Sequence, residues 1–409
     1  MSYKTRHGEL YDSARRVIQL TLQGYKIYAD ERKYISSQID IIIKILSFYE
    51  AFGYYLKEIR TFGNDHQNNA MKKLCYCLLS IFLLANCTTN EKKEIERIND
   101  INYSVITDSI YSSMPGTISA IDGNVYWHDA TGIENFIHVV NIRSGKELCS
   151  FGNKGDGPDD FVLPIPSVSP TKGFFLNDTE KGIEHLYTVD ETGTYQIKKA
   201  KYERDMETTA LAHLDDNTTV NLTPGANNLF KIIANSKVDV CGKFPLSEKY
   251  ENSFYLYQGQ ITYNADKNLL VYNCMSLPYL AVYAWKNKAL TLEKELVGEI
   301  ESSVRDGNLV LEKQSKRGAM ELALTKRSIV TLDRDVVTEG EKTESKSPRD
   351  LSVLPHSLFV YDYNLNLTHI VNTKFPILRI CGDTKTDFMY AIVLAPDYTL
   401  IKIDLSSLE

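Results

Sequence analysis

The chain has 409 residues and a formal net charge of −7, from 46 Lys and Arg against 53 Asp and Glu. Residues 1–87 hold 12 of the basic residues and 8 of the acidic ones, which leaves 34 and 45, a net charge of −11, on the 322 residues beyond. That acidic balance argues against nucleic acid or an anionic membrane surface as the main partner, and the length suits one large β domain or two ordinary ones.

Residues 1–70 are Tyr-rich and mildly basic, with ten Lys and Arg against eight Asp and Glu. Ile35, Ile39, Ile42, Ile43 and Leu46 recur at helical spacing. We read this stretch as an N-terminal extension, helical or disordered, from a start codon assigned too early; the alternative is a cytoplasmic segment tethered by residues 74–86. Next come Met71-Lys72-Lys73, an apolar run from Leu74 to Ala85, and Asn86-Cys87. Lysines, about a dozen apolar residues and a polar exit describe a secretory signal over 71–87, too short for the ~20 residues that span a bilayer. Leu84-Ala85-Asn86-Cys87 resembles the lipobox of bacterial lipoproteins, although Asn86 departs from its usual small residue. Cys87 is therefore the expected lipidation site, and the location the cell envelope at the outer membrane. Residues 88–100 are polar and read as a tether; the first acid waits until Glu91, which favours the periplasmic face.

From residue 101 onward short alternating segments recur. Five hairpins stand out by period-2 alternation around polar turns, with turn centres near 144, 191, 236, 287 and 365. The first three steps are about 47, 45 and 51 residues; the last is about 78, the excess being a charged insertion over 300–350, with a helical pattern near 300–325. A period of 40–50 residues with four short strands is that of a β-propeller blade. The chain ends with three strands, Ile377–Cys381, Phe388–Leu394 and Tyr398–Leu405, and residues 101–110 can supply the fourth. The expected fold of residues 101–409 is all-β: a six-bladed propeller of four-stranded blades, closed by an N-terminal strand.

Gly152, Gly155, Gly157, Pro158 and Phe161 form a Gly-x-x-Gly-x-Gly-Pro-x-x-Phe stretch. It resembles a motif of bacterial six-bladed propellers of the TolB-like and NHL-like kind, with Asp159 and Asp160 in place of the usual glycine and glutamate. The resemblance spans roughly residues 101–409 and implies a lipid-anchored propeller of the sort common in gut Gram-negative bacteria; it implies no reaction. Physically the stretch reads as a shaped crossing between blades. A phosphate loop lacks its Gly-Lys-Ser/Thr ending, and a calcium site on Asp156, Asp159 and Asp160 is the sharper alternative to an exposed turn.

Other chemistry is sparse. Cys149, Cys241, Cys274 and Cys381 have no metal-ligand spacing and read as buried thiols. No Gly-x-Ser-x-Gly or His-Glu-x-x-His occurs, so no catalytic residue, metal or cofactor is assigned and no hydrolytic or lyase turnover is expected. Trp127-His128-Asp129, ending a strand, are the first ligand-binding candidates, with Asp156, Asp159 and Asp160 next. The expected activity is binding or scaffolding of a protein, peptide or glycan; the competing reading is a propeller enzyme with a metal in its channel.

Overall fold

Each polar turn read above reverses a pair of strands. The computed structural model describes residues 95–99, 101–171, 173–235, 237–313, 315–341 and 351–408. Two strands precede the blades: β1 (Glu96–Ile98) and β2 (Tyr103–Thr107). Blade 1 is β3 (Ile118–Ile121), β4 (Asn124–His128), β5 (Asn135–Asn141) and β6 (Glu147–Asn153). Blade 2 is β7 (Ile165–Val168), β8 (Phe174–Asp178), β9 (Ile183–Val189) and β10 (Tyr195–Lys201). Blade 3 is β11 (Ala210–Asp215), β12 (Thr218–Leu222), β13 (Phe230–Ala234) and β14 (Lys237–Cys241). After a one-turn helix α1 (Ser253–Leu256), blade 4 is β15 (Gly259–Asn264), β16 (Leu269–Cys274), β17 (Tyr279–Lys286) and β18 (Ala289–Val297). A separate hairpin, β19 (Ser302–Arg305) and β20 (Asn308–Leu311), leads to blade 5: β21 (Glu321–Leu324), β22 (Ile329–Asp333), helix α2 (Val336–Glu339), β23 (Ser357–Tyr361) and β24 (Leu367–Asn372). Blade 6 is β25 (Ile377–Gly382), β26 (Phe388–Leu394) and β27 (Tyr398–Asp404), with β2 antiparallel to β27 as its fourth strand.

The result is an all-β, six-bladed propeller with four-stranded blades. The first strands of successive blades neighbour one another in order, and β25 returns to β3. Local chemistry sets the hairpins. The β3–β4 turn is Asp122-Gly123, at φ of 48° and 79°, the left-handed pair that a tight two-residue hairpin demands. The middle strands lose the alternation of a half-buried strand: β8 is buried at all five positions, whereas β10, on the outer edge, is exposed at all seven. Both faces of a middle strand meet a neighbouring blade, so both must be apolar.

Three features differ from the sequence reading. Within the stretch read as a tether, Glu96–Ile98 forms β1, parallel to β24, as a fifth strand of blade 5. The helical pattern near 300–325 is instead the β19–β20 hairpin, turned by Asp306-Gly307, followed by β21. The insertion is partly built in: Asp335 caps α2 and pairs with Arg97 at 3.0 Å, and Arg334 pairs with Glu339 at 3.2 Å. The expected extension, signal and Cys87 lie outside the described residues, and among those described no helix is long and apolar enough to cross a membrane.

The core is divided into seams between blades. Buried apolar clusters fill the seams 1/2, 3/4, 4/5, 5/6 and 6/1. At the 1/2 seam, Tyr126 stacks on Phe174 (4.7 Å between centroids) and Phe151 on Tyr187 (3.9 Å). Among the described residues no such cluster bridges blades 2 and 3.

Candidate binding cavity

A cavity of about 550 Å³ runs along the propeller axis and is lined by the first strand of every blade. Each of these strands pairs on one side only, so part of its backbone N–H and C=O faces the axis. Side chains add Ser119, Ser167, Thr262, Gln260 and Glu321 to the wall, and the turns after the strands add Asp122, Asp266, Asp383 and Lys385 to the mouth.

Glu321 is buried, and its carboxylate accepts from Arg379 Nη1 at 2.9 Å. Arg379 Nε donates to the Pro115 carbonyl at 3.2 Å, and Gln260 Oε1 accepts from Leu322 N at 2.6 Å. Burial still raises the Glu321 pKa, with Arg379 opposing. At the mouth Lys385 sits 3.8 Å from Asp122, while Asp383 accepts from Lys385 N and Thr386 Oγ1, each at 2.9 Å. Three carboxylates against one lysine leave this rim acidic. Burial pushes the Cys381 thiol well up, which keeps it neutral, and the four described cysteines are unpaired. Among the described residues no group of three or more His, Cys, Asp or Glu is placed to hold a metal ion.

The residues singled out from sequence are placed apart from this cavity. Trp127 is buried in the 6/1 seam, its ring stacked on His138 at 4.3 Å. His128 Nε2 is buried without a partner; burial lowers its pKa to about 4, Asp129 opposing and Arg379 assisting. Asp129 staples its own loop, accepting from Ser112 Oγ at 2.9 Å, Thr131 N at 3.1 Å and Thr131 Oγ1 at 2.9 Å. None of the three lines the cavity.

The glycine motif is the crossing from blade 1 to blade 2. Lys181 Nζ donates into it, to the carbonyls of Gly157 at 2.7 Å and Asp160 at 2.5 Å. The Asp160 carboxylate folds back on Gly157 N at 3.1 Å, and a Cβ on Gly155 or Gly157 would lie 2.7 or 2.5 Å from it. A side chain at either glycine would displace the Asp160 carboxylate from Gly157 N. After exposed Pro158, Phe161 drops into the 1/2 seam, fully buried, and Gly152 adopts φ 79° beside it. The carboxylates do not converge: Asp160 serves its own loop, Asp159 pairs with Lys199 at 2.7 Å, and Asp156 is exposed.

A group that sequence reasoning missed lies in the cavity wall at the 2/3 seam. Ser167 Oγ is 2.9 Å from His213 Nδ1, and His213 Nε2 is 3.1 Å from Glu184 Oε2. The imidazole lies flat on Phe175, 3.6 Å between centroids and 4° between planes. The three residues come from β7, β9 and β11 and share no motif. The signal in the sequence was small: a histidine at a buried position of an apolar strand, in Leu211-Ala212-His213-Leu214.

The family match agrees with this architecture. The family described as TolB-like 6-blade propeller-like matches residues 95–383, and the chain belongs to that family. No curated protein matches. Among solved structures, a functionally unknown protein from Desulfotomaculum acetoxidans DSM 771 is 11% identical, with 64% of this chain and 72% of that one covered and a TM-score of 0.38. The Cps50 (Swd1) β-propeller domain of Myceliophteria thermophila is 10% identical, with 74% and 99% covered and a TM-score of 0.39.

Proposed function

We propose that this chain is a lipid-anchored propeller of the cell envelope that binds a peptide, glycan or protein segment in its axial cavity. The observation that carries the reading is the cavity itself: about 550 Å³, reached by all six blades, walled by hydroxyls and amides and rimmed by Asp122, Asp266 and Asp383. Concave sites with a few placed polar groups are where small ligands and chain segments are held. The acidic rim favours neutral or cationic groups over phosphates and nucleic acid. Anchoring follows the Met71–Cys87 signal, with the outer membrane, periplasmic side, as the location. Residues such as Asp156 and Asp159 are a peripheral contact surface on this reading, and Trp127 acts through packing.

The test is a glycan, peptide and metal-ion binding screen on the full chain in detergent, repeated on Thr262→Trp, which puts an indole into the cavity wall and obstructs it. Binding lost in Thr262→Trp and kept in Asp156→Ala supports the reading; a ligand indifferent to Thr262→Trp overturns it. The anchor is tested separately: Cys87→Ala should release the protein from the membrane fraction, and an intact mass retaining residues 1–86 in the native host would falsify lipidation at that cysteine.

A further inference from the structure

We infer that Ser167 is a nucleophile in the cavity wall, activated by His213 and Glu184, and that the cavity turns over a short carboxylic ester. This rests on the same cavity but goes beyond the binding reading: it names a small ester in place of a peptide, glycan or protein segment, and a turnover that the sequence alone did not lead us to expect.

The hydrogen bonds fix the direction of proton flow. An ionised carboxylate only accepts, so the 3.1 Å contact requires His213 Nε2 to carry the ring proton toward Glu184. The neutral imidazole then has a bare lone pair on Nδ1, and the 2.9 Å contact leaves Ser167 O–H as its donor. That is the order of a serine–base–carboxylate relay, with the two ring nitrogens exchanged relative to the serine-protease arrangement. The ring cannot rotate away: it lies flat on Phe175, which stands directly opposite Ser167 in the β7–β8 register. Ser167 and His213 are 7% and 2% exposed, and both line the cavity.

The backbone beside Ser167 offers what the developing charge needs. Ser169 N donates to Gly173 O at the end of this hairpin. Hydrogen-bonded pairs alternate along an antiparallel ladder, so Ser167 is bonded to Phe175, and the N–H of Val168 between them points to the channel. Pro166, which has no N–H, occupies the other channel-facing position, where a ladder donor is not needed. Val168 N–H is thus a free donor one residue beyond the serine, placed to receive a carbonyl oxygen as it turns negative.

The chemistry balances without a co-reactant other than water. Ser167 Oγ attacks the ester carbonyl carbon and its proton passes to His213 Nδ1. The carbonyl carbon–alkoxy oxygen bond breaks, and the leaving alkoxide takes that proton. Water then attacks the acyl-serine, giving its proton to Nδ1; collapse returns it to Ser167 and releases the carboxylic acid.

The test uses the full chain in detergent, with a fluorophosphonate reagent and p-nitrophenyl acetate. The expected results are a covalent adduct on the peptide carrying Ser167, located by mass spectrometry, and ester hydrolysis abolished in Ser167→Ala but kept in Ser144→Ala, an exposed turn serine outside the cavity. Glu184→Gln, whose amide can donate to Nε2 and select the wrong tautomer, should slow both by about 10³-fold or more with the unfolding midpoint retained. Should Ser167→Ala fail to fold, Ser167→Cys, labelled at the new thiol by iodoacetamide at a rate that falls in Glu184→Gln, reads the same activation. No adduct at Ser167 in folded protein, or hydrolysis unchanged in Ser167→Ala, overturns the assignment; so does a lowered midpoint in the variants without any adduct, which identifies the group as a structural pin. Either failure leaves the binding screen standing, because that screen reads affinity at Thr262 and not reaction at Ser167.

Discussion

Phe174 and Phe175 are consecutive residues of β8, yet they face two different kinds of seam. Phe174 enters the 1/2 seam, where it stacks on Tyr126 among Phe151, Phe161 and Tyr187. Phe175 enters the 2/3 seam, where its partner is the His213 imidazole, held between a serine and a glutamate. The same strand thus sends one ring into an apolar interface and the next into a polar one. Five seams of the ring are filled by apolar clusters that hold the blades together. The sixth gives up part of that stabilisation to bury hydrogen-bonded groups beside the cavity. Polar networks of this sort cost stability unless every member is satisfied, and they are where function concentrates.

The largest effect expected from this contrast is at the apolar seam. Phe174→Ala removes a fully buried ring and should cost about 3–5 kcal/mol by denaturant unfolding. Phe175→Ala removes an equal ring, but the neighbouring seam is less tightly apolar and can relax or admit water, so about 2–3 kcal/mol is expected. The two should separate further in reactivity: Phe175→Ala frees the His213 ring and should lose labelling at Ser167, while Phe174→Ala, if folded, keeps it. Equal costs and equal labelling would erase the distinction between the seams.

Next in size is a pH effect at the end of β4, where His128 lies beside Phe136 of the 1/2 seam. His128 titrates at about 4 in the fold, because its ring is buried and Arg379 opposes a second positive charge. In the unfolded chain a histidine titrates near 6.5. Between those values the unfolded state holds the extra proton, so stability falls as pH drops from about 6.5, and the loss is complete below about 4. The full shift corresponds to about 3 kcal/mol. His128→Gln should flatten this part of the stability profile; an unchanged slope between pH 6.5 and 4 would show that the ring is not held neutral.

Much of this fold was legible because its signals are local. Asn287-Lys288 adopts the positive φ values that its turn requires, and that turn was read in place near 287. What was missed is long-range. β1 is three residues within a largely polar stretch, and its strand character comes from lying beside β24, some 270 positions away. The hairpin at Ser302–Leu311 carried a local Asp306-Gly307 signal, which an apparent helical spacing obscured. Alternation sent Trp127 and His128 to opposite faces but could not show that both faces of β4 are seams and that the cavity belongs to β3. Ser167, Glu184 and His213 were invisible for the same reason: their meeting depends on blade 3 packing on blade 2, which no spacing encodes.

A smaller effect lies at the outer part of the polar seam. Lys231 Nζ pairs with Asp205 at 2.9 Å, and Asp205 also accepts from Thr208 Oγ1 at 3.0 Å and Glu207 N at 2.9 Å. These bonds outweigh burial and hold the Asp205 pKa below its ordinary value. Its stabilisation is therefore present above the unfolded carboxylate range and is lost as pH falls through the lowered value. Lys231→Ala leaves the other two bonds in place and should cost about 1–2 kcal/mol at neutral pH, with the difference from the parent vanishing in acid. A cost that persists undiminished at acidic pH would mean that the lysine acts by packing its stem and not by charge.

The smallest effect is expected at the pair that looks most alike on paper. Lys199 Nζ and Asp159 are 2.7 Å apart, closer than Lys231 and Asp205, and Lys199 donates to a carboxylate of the glycine-motif crossing. Both side chains are about half exposed, whereas Asp205 is buried. Water and salt screen the exposed pair, and ordering two long side chains consumes most of what attraction remains. Lys199→Ala should therefore leave the unfolding midpoint unchanged, in low salt and in 0.5 M salt, while Lys231→Ala lowers it in both. A shift in Lys199→Ala comparable to that in Lys231→Ala would show that the crossing depends on its outer carboxylate; the buried geometry says it depends on Phe161 in the 1/2 seam and on Lys181 inside the loop.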